Sequence, residues 1–494
     1  MSFDIENRLF VYDEEKWKDL FSKNYKREAP SVVEVDNGIV LPLRKYKDYN
    51  MMVEGGVCDR KFKFVAGHYL NYPDPNGYLC CSRSYKPSEP VQVRHETVIF
   101  GGILYGGFWL TISSNLSRLW YLADHPKTPY KFVFLKNTFW GNLTINMLEI
   151  AGLSEDKIEI IEHPTQFDKI IVPEQTFYIF SSHRVGAEKI YNYIRERVKP
   201  GAYKKVYLSR SALPIGGNNE ITFNEQYFEN FYQKRGYEII HPEQLPFKEQ
   251  LSIMAGADEI IAWEGTLLFL TQFCKPETKV VILRRTVGHT PITPLLTTSI
   301  IPNCKIIDVH FNFLPATLDM GAELVGPTSC WRRYLEHEGI PHTSDEVSED
   351  LHIRPILYDY VKLWGKIADA PSYFARDTLL PLNNYTLIDI LDYVNSIFRG
   401  NKIDRSLYSD RNDVLHLTDE NNKLREIFTL ALSDYIKNRY ESLKSFAENE
   451  KINSLMCIDD KQVKHLKQLS RLEKQLQKKK AFADTVEDEQ TGHE

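Results

Sequence analysis

The chain has 494 residues, which is too long for a single hydrophobic core and predicts two lobes with an extension. Hydrophobic residues make up 43% of the chain and charged residues 26%, a composition that argues against a disordered or fibrous protein. The formal net charge of −6 argues against a broad nucleic-acid-binding surface, so we expect no nucleic acid partner.

The cysteines and the N-terminus both indicate the cellular compartment in which the protein works. The seven cysteines are an odd number and lack the paired spacing of a zinc site, so we expect reduced thiols and no bound metal. The N-terminus has neither the basic start nor the apolar core of a signal peptide, and no run approaches the ~18 apolar residues of a membrane span. We therefore expect a protein that works in the cytoplasm, either free or at the inner face of the membrane.

In the first part of the chain, short strands and turns lead into a predicted α/β lobe. Residues 1–94 are predicted to form a segment rich in strands and turns. The lobe is expected over residues 95–185, with a helix near Ile150 between its first two strands. Its predicted strands are KFVFL (131–135), IEIIE (158–162) and KIIVPE (169–174). A helical pattern that stops at a Pro-Gly pair predicts a linker helix over residues 186–200.

A second α/β lobe is predicted over residues 201–335, where apolar runs of strand length alternate with amphipathic helices. The predicted strands are VYLSRS (206–211), YEIIHPEQL (237–245), DEIIAW (258–263), KVVILRR (279–285) and KIIDVHFNFL (305–314). The predicted helices are residues 224–236, residues 247–257 and a third that begins sharply after the third strand. Alternation of this kind builds a parallel sheet with helices on its faces, so the predicted fold class is α/β.

From Gly321 to Tyr373 the chain is predicted to hold aromatic-rich helical segments, and most of the chain beyond is also predicted to be helical. Amphipathic helices over residues 386–400 and 422–449 belong to a helical extension that spans residues 336–460. The segment 461–494 begins with a basic helix over residues 461–480, which carries a narrow leucine stripe, and ends in an acidic tail. Such a helix suits self-association or peripheral contact with an anionic membrane, so we expect it to lie outside the active site.

The carboxyl ends of the predicted strands in the second lobe carry polar residues, and ligands of parallel sheets bind outside these ends. The set consists of Ser209, Arg210, Ser211, His241, Glu264, Gly265, Thr266, Arg284 and Arg285. Arg210 is the strongest candidate, because its guanidinium offers a planar fork of donors that suits two diphosphate oxygens. Ser209 and Ser211 either donate hydroxyls to the same anion or cap the turn. The set predicts a site for a phosphorylated ligand.

Glu264, Gly265 and Thr266 stand where a buried strand breaks into a helix. Gly265 permits close backbone approach, and the N–H groups at the helix start favour an anion. Thr266 either touches the ligand or caps the helix. For Glu264 three roles stay open: contact with ribose or sugar hydroxyls, which we rank first, a helix-start acid without catalytic work, and a general base that deprotonates the acceptor hydroxyl.

Further arginines, histidines and acids are weaker candidates. One of Arg284 and Arg285 is expected to neutralise the charge of a leaving group, and the other to pair with an acid on the surface. His241 and Glu249 are candidate ligand contacts, although a structural histidine and a helix-start acid are the simpler interpretations. Four histidines are weak candidates for proton transfer, each more simply interpreted as structural: His163, His183, His241 and His289.

The ordered set of motifs resembles glycosyltransferase family 61. The matching pieces are Ser209-Arg210-Ser211, Asn224-Glu225, Gly236-Tyr237, Glu249-Gln250, Ala257-Asp258 and Glu264-Gly265-Thr266, with weaker similarity at residues 101–107 and 117–122. The resemblance implies a glycosyltransferase-B fold of two Rossmann-like lobes that uses a sugar nucleotide as substrate, without a metal or another cofactor. It implies that the donor binds the lobe at residues 201–335 and the acceptor the lobe at residues 95–185.

Departures from the family pattern indicate a divergent branch of the family it resembles, and the expected lack of a membrane anchor points to a bacterial-type enzyme. Glu264 stands where the family has His, Thr266 stands where it has Ala, and the loop over residues 212–223 lacks the family's Arg. Arg284 is a candidate to take the role of that missing Arg. Family roles that depend on the replaced side chains are not carried over.

The resemblance and the residues together predict an inverting, metal-independent glycosyltransferase with Arg210 and Glu264 as its catalytic residues. It would move a sugar from a nucleotide-sugar donor to a glycan or glycolipid acceptor, in the assembly of a bacterial capsule or surface polysaccharide. A catalytically inert scaffold of a polysaccharide-synthesis complex is the main alternative, because of the departures from the pattern. Another nucleotide-binding α/β enzyme, such as an epimerase, is a second alternative, although no Gly-x-Gly-x-x-Gly follows a first strand.

Overall fold

The computed structural model describes most of the first 360 residues of the chain. The described residues are 7–12, 14–22, 26–45, 53–65, 84–106, 108–136, 142–178, 182–213, 220–285, 303–311, 321–357, 359–360 and 363. The predicted helices at 386–400, 422–449 and 461–480 lie outside the described residues, as does His289.

Strands and helices occur together throughout the described residues. The strands, numbered in chain order, are β1 (Leu9–Phe10), β2 (Lys26–Arg27), β3 (Val32–Asp36), β4 (Ile39–Lys45), β5 (Val53–Cys58), β6 (Gln92–Leu104), β7 (Lys131–Lys136), β8 (Ile158–Ile160), β9 (Thr165–Pro173), β10 (Phe177–Tyr178), β11 (Ser182–Arg184), β12 (Lys205–Leu208), β13 (Glu220–Phe223), β14 (Glu238–Ile240), β15 (Glu259–Trp263), β16 (Lys279–Arg284), β17 (Cys304–Asp308), β18 (His310–Phe311) and β19 (Gly321–Val325). The α-helices are α1 (Glu14–Ser22), α2 (Phe108–Leu110), α3 (Trp120–Asp124), α4 (Asn142–Ile150), α5 (Glu188–Arg195), α6 (Glu225–Gln233), α7 (Phe247–Gly256), α8 (Ser329–His337) and α9 (Glu349–His352). A π-helical turn covers Thr111–Asn115, and 3₁₀ helices cover Glu155–Lys157, Pro242–Gln244, Thr266–Phe273 and Arg354–Ile356. The protein is therefore a mixed α/β protein, as predicted.

A six-stranded sheet contains the strands predicted for residues 201–335. Its order is β1-β17-β16-β15-β12-β14, and every neighbouring pair is parallel. This confirms the parallel sheet expected from the alternation of strands and helices. The predicted strand at 237–245 ends at Ile240, because Pro242 begins a 3₁₀ helix. The edge strand β1 was not predicted, since only two residues near the N-terminus form it.

Apolar side chains cover both faces of the parallel sheet, as is usual for parallel strands. Successive residues of β12 alternate between the faces, so Val206 and Leu208 enter one core cluster while Tyr207 enters the other. The first cluster includes side chains of α5 and α7, and the second includes side chains of α6 and α8. Because both faces are occupied by core, polar side chains gather at the ends of the strands.

A second sheet of mixed direction is built from the earlier part of the chain. Its order is β5-β4-β9-β6-β7-β8, with β3 paired to β9. The pairs among β6, β7, β8 and β9 are parallel, and they confirm the strands predicted at 131–135, 158–162 and 169–174. Strands β3 and β4 pair with β9 in the antiparallel sense. One apolar cluster contains residues of both sheets, for example Phe134 and Ile260, so the two sheets share a core.

A small sheet forms where no strand was predicted. β13 lies in the stretch interpreted as a loop and pairs in parallel with β19, which lies in a region predicted to be helical. β18 pairs with β19 in the antiparallel sense. The expectation of a helix at β19 is wrong. No strand was predicted there because the acid Glu323 interrupts the apolar run of this strand. The side chain of Glu323 is nevertheless buried, since Arg285 provides a partner for its charge.

Candidate active site

The carboxyl ends of β12, β15, β16 and β17 meet at one edge of the parallel sheet. In the register of the sheet, Leu208 lies opposite Ala262, and Arg284 lies opposite Asp308. Because neighbouring strands are ~4.8 Å apart, the residues that end or follow these four strands lie along an edge of roughly 15 Å. We call this the carboxyl edge; its predicted site residues are Ser209, Arg210, Ser211, Glu264, Gly265, Thr266 and Arg284.

Two carboxylates of α6 hold the turn that follows β12. The backbone N–H of Arg210 donates to Oε1 of Glu225 at 2.8 Å. The buried hydroxyl of Ser209 donates to Oε1 of Glu229 at 2.5 Å, and the hydroxyl of Ser211 donates to the same oxygen at 2.6 Å. Both hydroxyls therefore help to fix the turn. Their donation to a ligand anion stays a prediction, as does phosphate binding by the partly exposed Arg210.

Glu225 lies in a buried position where several donors converge on one oxygen. Nε1 of Trp263 donates to Oε1 at 2.7 Å, and the hydroxyl of Tyr207 lies 3.4 Å from the same atom. Burial raises the pKa of Glu225 to about 7, although the N–H of Arg210 opposes the rise. The carboxyl is consequently able to change its charge near neutral pH.

The side chain of Glu264 is fully buried at the end of β15. Its Oε1 accepts a long hydrogen bond of 3.5 Å from Nε of Arg284, whereas its Oε2 has no hydrogen-bond partner among the residues that the structure describes. Burial raises the pKa of Glu264 to about 7; Arg284 opposes this rise and Asp308 adds to it. A buried oxygen without a partner is uncommon in protein interiors and is often found at functional sites. The three roles considered for Glu264 stay predictions.

The turn after Glu264 requires glycine. Gly265 has a φ of 123°, in the region where an L side chain is strained. Residues Thr266–Phe273 then form a 3₁₀ helix instead of the α-helix expected there. Gly265 occupies the N-cap position of this helix, so the interpretation of Thr266 as its cap is wrong.

Arg284 forms a buried ion pair at the end of β16. Its Nη1 donates to Oδ1 of Asp308 at 2.6 Å, and its guanidinium carbon lies 4.8 Å from the centroid of the Trp17 ring. Burial acts to raise the pKa of Asp308, but Arg284 and His310 outweigh it and hold the pKa at about 2. Asp308 also accepts the backbone N–H of Tyr12 at 2.8 Å. Arg284 therefore faces an ionised carboxylate, and its action on a leaving group stays a prediction.

Arg285 also points into the protein. Its Nη1 donates to Oε2 of Glu323 at 2.7 Å, and its Nε donates to the backbone carbonyl of Glu264 at 2.9 Å. Because the side chain of Glu323 is fully buried, the expectation that one of the two arginines pairs with a surface acid is wrong. The reason is the unpredicted strand β19, which brings Glu323 to the end of β16.

His241 and Glu249 flank the carboxyl edge. The ring of His241 follows β14, is partly buried and has its Nδ1 3.9 Å from Oε1 of Glu243. Glu249 is exposed in the first turn of α7, whereas the adjacent Gln250 is buried and donates to the carbonyl of Pro242 at 2.7 Å. Gln250 is therefore structural, and the ligand contacts of His241 and Glu249 stay predictions.

The remaining histidine candidates lie elsewhere. His163 is exposed and pairs with Glu89 at 3.2 Å, next to the mixed sheet. The side chain of His183 is outside the described part of the chain. Within the described residues, no group of three or more His, Cys, Asp or Glu side chains could hold a metal ion. In the same residues, no helix has the length and apolar character that crossing a membrane requires.

Sequence reasoning assigned no role to the residues that hold the carboxyl edge in place, although Glu225 belongs to one of the matched motifs. These residues are Tyr12, Trp17, Glu225, Glu229, Asp308, His310 and Glu323. A signal existed for α6, since Glu225 and Glu229 share a helix face with buried aromatic residues such as Phe228 and Tyr232. No signal existed for Tyr12, whose partner Asp308 is 296 residues away in the chain.

A comparison with known families matches the region that carries this edge. Residues 105–281 match the family model Glycosyltransferase 61, and the matched range includes the turn after β12, α6 and Gly265. The protein is therefore a glycosyltransferase. Residues 105–281 form its glycosyltransferase 61 domain, which confirms the resemblance read from the motifs. No curated protein matches the chain.

Proposed function

We propose that the protein is an inverting, metal-independent glycosyltransferase that transfers a sugar from a nucleotide-sugar donor to a glycan or glycolipid acceptor. The position of Arg210 carries this proposal: a partly exposed cation at the carboxyl edge of a parallel sheet, inside a glycosyltransferase 61 domain. Ligands of open parallel sheets bind at that edge, and a guanidinium suits the paired oxygens of a diphosphate.

In the proposed reaction, the hydroxyl oxygen of the acceptor attacks the anomeric carbon of the donor sugar. The bond between that carbon and the diphosphate oxygen breaks, and its electron pair leaves with the diphosphate. We assign the stabilisation of this growing charge to Arg210 and to the N–H groups that follow Gly265. Arg284 is a weaker contributor in this proposal, because Asp308 already compensates its charge. A general base takes the acceptor proton, so the single displacement inverts the anomeric centre.

We propose that Glu264 contacts the ribose or the sugar of the donor. Its Oε2 is an acceptor without a partner in the described residues, and a sugar hydroxyl that reached it would donate to it. In this role Glu264→Gln weakens donor binding and leaves measurable turnover. If Glu264 is the base instead, the same variant binds donor normally and loses almost all turnover.

The wider setting is also a proposal. We propose that the two sheets belong to two Rossmann-like lobes of the glycosyltransferase-B type, with the donor on the six-stranded parallel sheet and the acceptor between the lobes. The family resemblance favours the assembly of a bacterial capsule or surface polysaccharide. The cysteines Cys58, Cys274, Cys304 and Cys330 are free thiols, which supports a reducing compartment such as the cytoplasm.

A nucleotide panel tests the proposed function. Thermal shift measurements with nucleoside diphosphates should find one base whose diphosphate raises the melting temperature, and the matching nucleotide sugar should be turned over in the presence of a chelator. Proton NMR of the product should show the inverted anomer. A protein that binds a diphosphate but never turns over its sugar nucleotide is the inert scaffold. Stabilisation by a dinucleotide alone supports the epimerase.

A further inference from the structure

Two carboxylates of α6 have no part in the reaction described above. Glu225 and Glu229 are four residues apart on the buried face of this helix. Both lie beneath the turn Ser209–Ser211, which carries Arg210. Two buried acids beside a site for an anion are electrostatically unfavourable, so their presence calls for a compensating benefit.

Glu225 connects two neighbouring strand ends through a single oxygen. Its Oε1 accepts the backbone N–H of Arg210 at 2.8 Å, which belongs to the turn after β12. The same atom accepts Nε1 of Trp263 at 2.7 Å, and Trp263 is the last residue of β15, immediately before Glu264. One carboxylate thus links the two loops to which the proposed function assigns the diphosphate.

Glu229 binds the two residues that flank Arg210 in the turn. Its Oε1 accepts the hydroxyls of Ser209 and Ser211, and the hydroxyl of Ser209 also accepts the backbone N–H of Ser211 at 3.0 Å. The turn is therefore held at Arg210 by a backbone contact and on either side of it by a side-chain contact. Charged acceptors make such hydrogen bonds short and strong.

The helix that carries the two acids is itself anchored. Asn224 starts α6 with a φ of 74°, a conformation that asparagine tolerates better than most residues, and its Nδ2 donates to the carbonyl of Val325 at 2.9 Å. The Phe228 ring, between the two acids in sequence, packs edge-on against Trp263 and Trp331 at centroid distances of 5.4 and 5.2 Å. The carboxylates consequently have little freedom to move.

We propose that Glu225 and Glu229 are positioning residues that hold the Ser209–Ser211 turn in the conformation that binds the donor diphosphate. The Oε1 atom of each acid binds the turn, and that of Glu225 also binds Trp263, so the acids act on the donor through Arg210 and its neighbours. The inference rests on the proposed function for the identity of the ligand. It adds that donor affinity depends on two acids that bind the turn and not the donor.

Variants of Glu225 test the proposal through the contrast between the donor KM and the acceptor KM. Glu225→Ala removes the acceptor of the Arg210 backbone N–H, so it should raise the donor KM at least about tenfold and also lower kcat, since Arg210 stabilises the leaving group, while the acceptor KM changes less than about twofold. Glu225→Gln keeps an acceptor without the charge, so its donor KM should lie between those of the wild type and the alanine variant. Glu229→Gln should raise the donor KM by about as much as Glu225→Gln does. It replaces Glu225→Ala in the test if that variant does not fold.

Glu259→Gln is the matched control. Glu259 lies at the amino end of β15, the strand that ends in Trp263, and its Oε2 accepts the hydroxyl of Tyr237 at 2.5 Å. This variant removes an acid with a tyrosine partner from the opposite end of the same strand. Its donor KM should equal that of the wild type. An equal rise of donor KM in Glu259→Gln and Glu225→Gln would reduce the role of Glu225 to general stability and overturn the proposal.

Hydrogen exchange of the free protein gives a readout that needs no ligand. In Glu225→Ala, the backbone amides of the peptide that contains Arg210 and Ser211 should exchange faster, while those of β15 keep the wild-type rate. Unchanged exchange at Arg210 in a folded variant overturns the positioning role, whatever the protein binds. Faster exchange at Arg210, combined with no binding of any nucleoside diphosphate by the wild type, supports the positioning of the turn and refutes the proposed function.

Discussion

Two ion pairs at opposite edges of the parallel sheet differ sharply in burial. At the amino edge, Nζ of Lys205 lies 3.9 Å from Oε1 of Glu259 on the neighbouring strand, and the two side chains are 46% and 31% exposed. At the carboxyl edge, Nη1 of Arg284 lies 2.6 Å from Oδ1 of Asp308, and the two side chains are 2% and 3% exposed. Both pairs join neighbouring strands of one sheet, so the sheet itself does not dictate whether charge is buried.

This contrast indicates what the buried charges do. An exposed ion pair costs little and contributes little, whereas a buried pair costs several kcal/mol of desolvation before its attraction is counted. The Lys205–Glu259 pair shows that strands of this sheet can carry charge at an end without that cost. The buried acids and arginines of the carboxyl edge therefore support the proposed active site there, because perturbed carboxyl groups commonly gather at active sites.

The largest expected effect is on the buried ion pair. Asp308→Asn removes the buried carboxylate that pairs most closely with the guanidinium of Arg284, so the free energy of unfolding in urea should fall by about 3–5 kcal/mol. The double variant Asp308→Asn with Arg284→Met removes both charges and should recover most of that loss. A single variant that loses less than about 1 kcal/mol would mean that the pair behaves like a surface pair, and the contrast between the edges would fail.

The next effect concerns Arg210 and separates binding from folding. Arg210→Ala should weaken nucleoside diphosphate binding by ~1.5–3 kcal/mol, at least about tenfold, with an unchanged melting temperature. Titration calorimetry measures the affinity. Lys205→Ala is the control, because it removes a cation from the amino end of the same strand and should leave the affinity as it is. Wild-type affinity in a folded Arg210→Ala protein would remove the main site assignment.

A smaller effect appears in the pH dependence of stability. The pKa of Glu264 is about 7 in the folded protein against an ordinary value of 4.5, so the folded state binds the extra proton between these values. Stability contributed by this group is therefore present at low pH and is lost as the pH rises toward 7. Glu264→Gln removes this loss, so its stability relative to the wild type should increase by about 2 kcal/mol between pH 5 and pH 8. A relative stability independent of pH would show that Glu264 has an ordinary pKa.

The smallest effect is expected at the amino edge. Glu259→Gln should change the free energy of unfolding by less than about 1 kcal/mol, because the glutamine keeps an acceptor for the hydroxyl of Tyr237 and the pair with Lys205 is long and partly exposed. Urea denaturation at low and high salt measures this change in the free energy of unfolding, and high salt should make the change smaller still. A loss as large as that of Asp308→Asn would make the two edges energetically alike.

The carboxyl edge could be located from the sequence because its elements are local. Apolar runs such as VYL before Ser209 and IIAW before Glu264 predict strands, and polar residues directly after them fall at one edge when the strands are parallel. The glycine at position 265 was also recognisable, since the strand breaks there. The strand β19 was not predicted because an acid stands in its centre, and in the folded protein that acid is buried with the guanidinium of Arg285 as a partner.

The amino-acid sequence by itself determined the alternation of strands and helices that builds the parallel sheet, and the loops that carry Arg210 and Gly265. These features depend on side-chain periodicity and on turn residues, which act over a few positions of the chain. Only the tertiary structure decided which acid faces which donor: Glu225 under Arg210, Asp308 beside Arg284 and Tyr12. Such pairs depend on the order of strands in the sheet, and that order follows from the packing of the whole core, which no local pattern encodes.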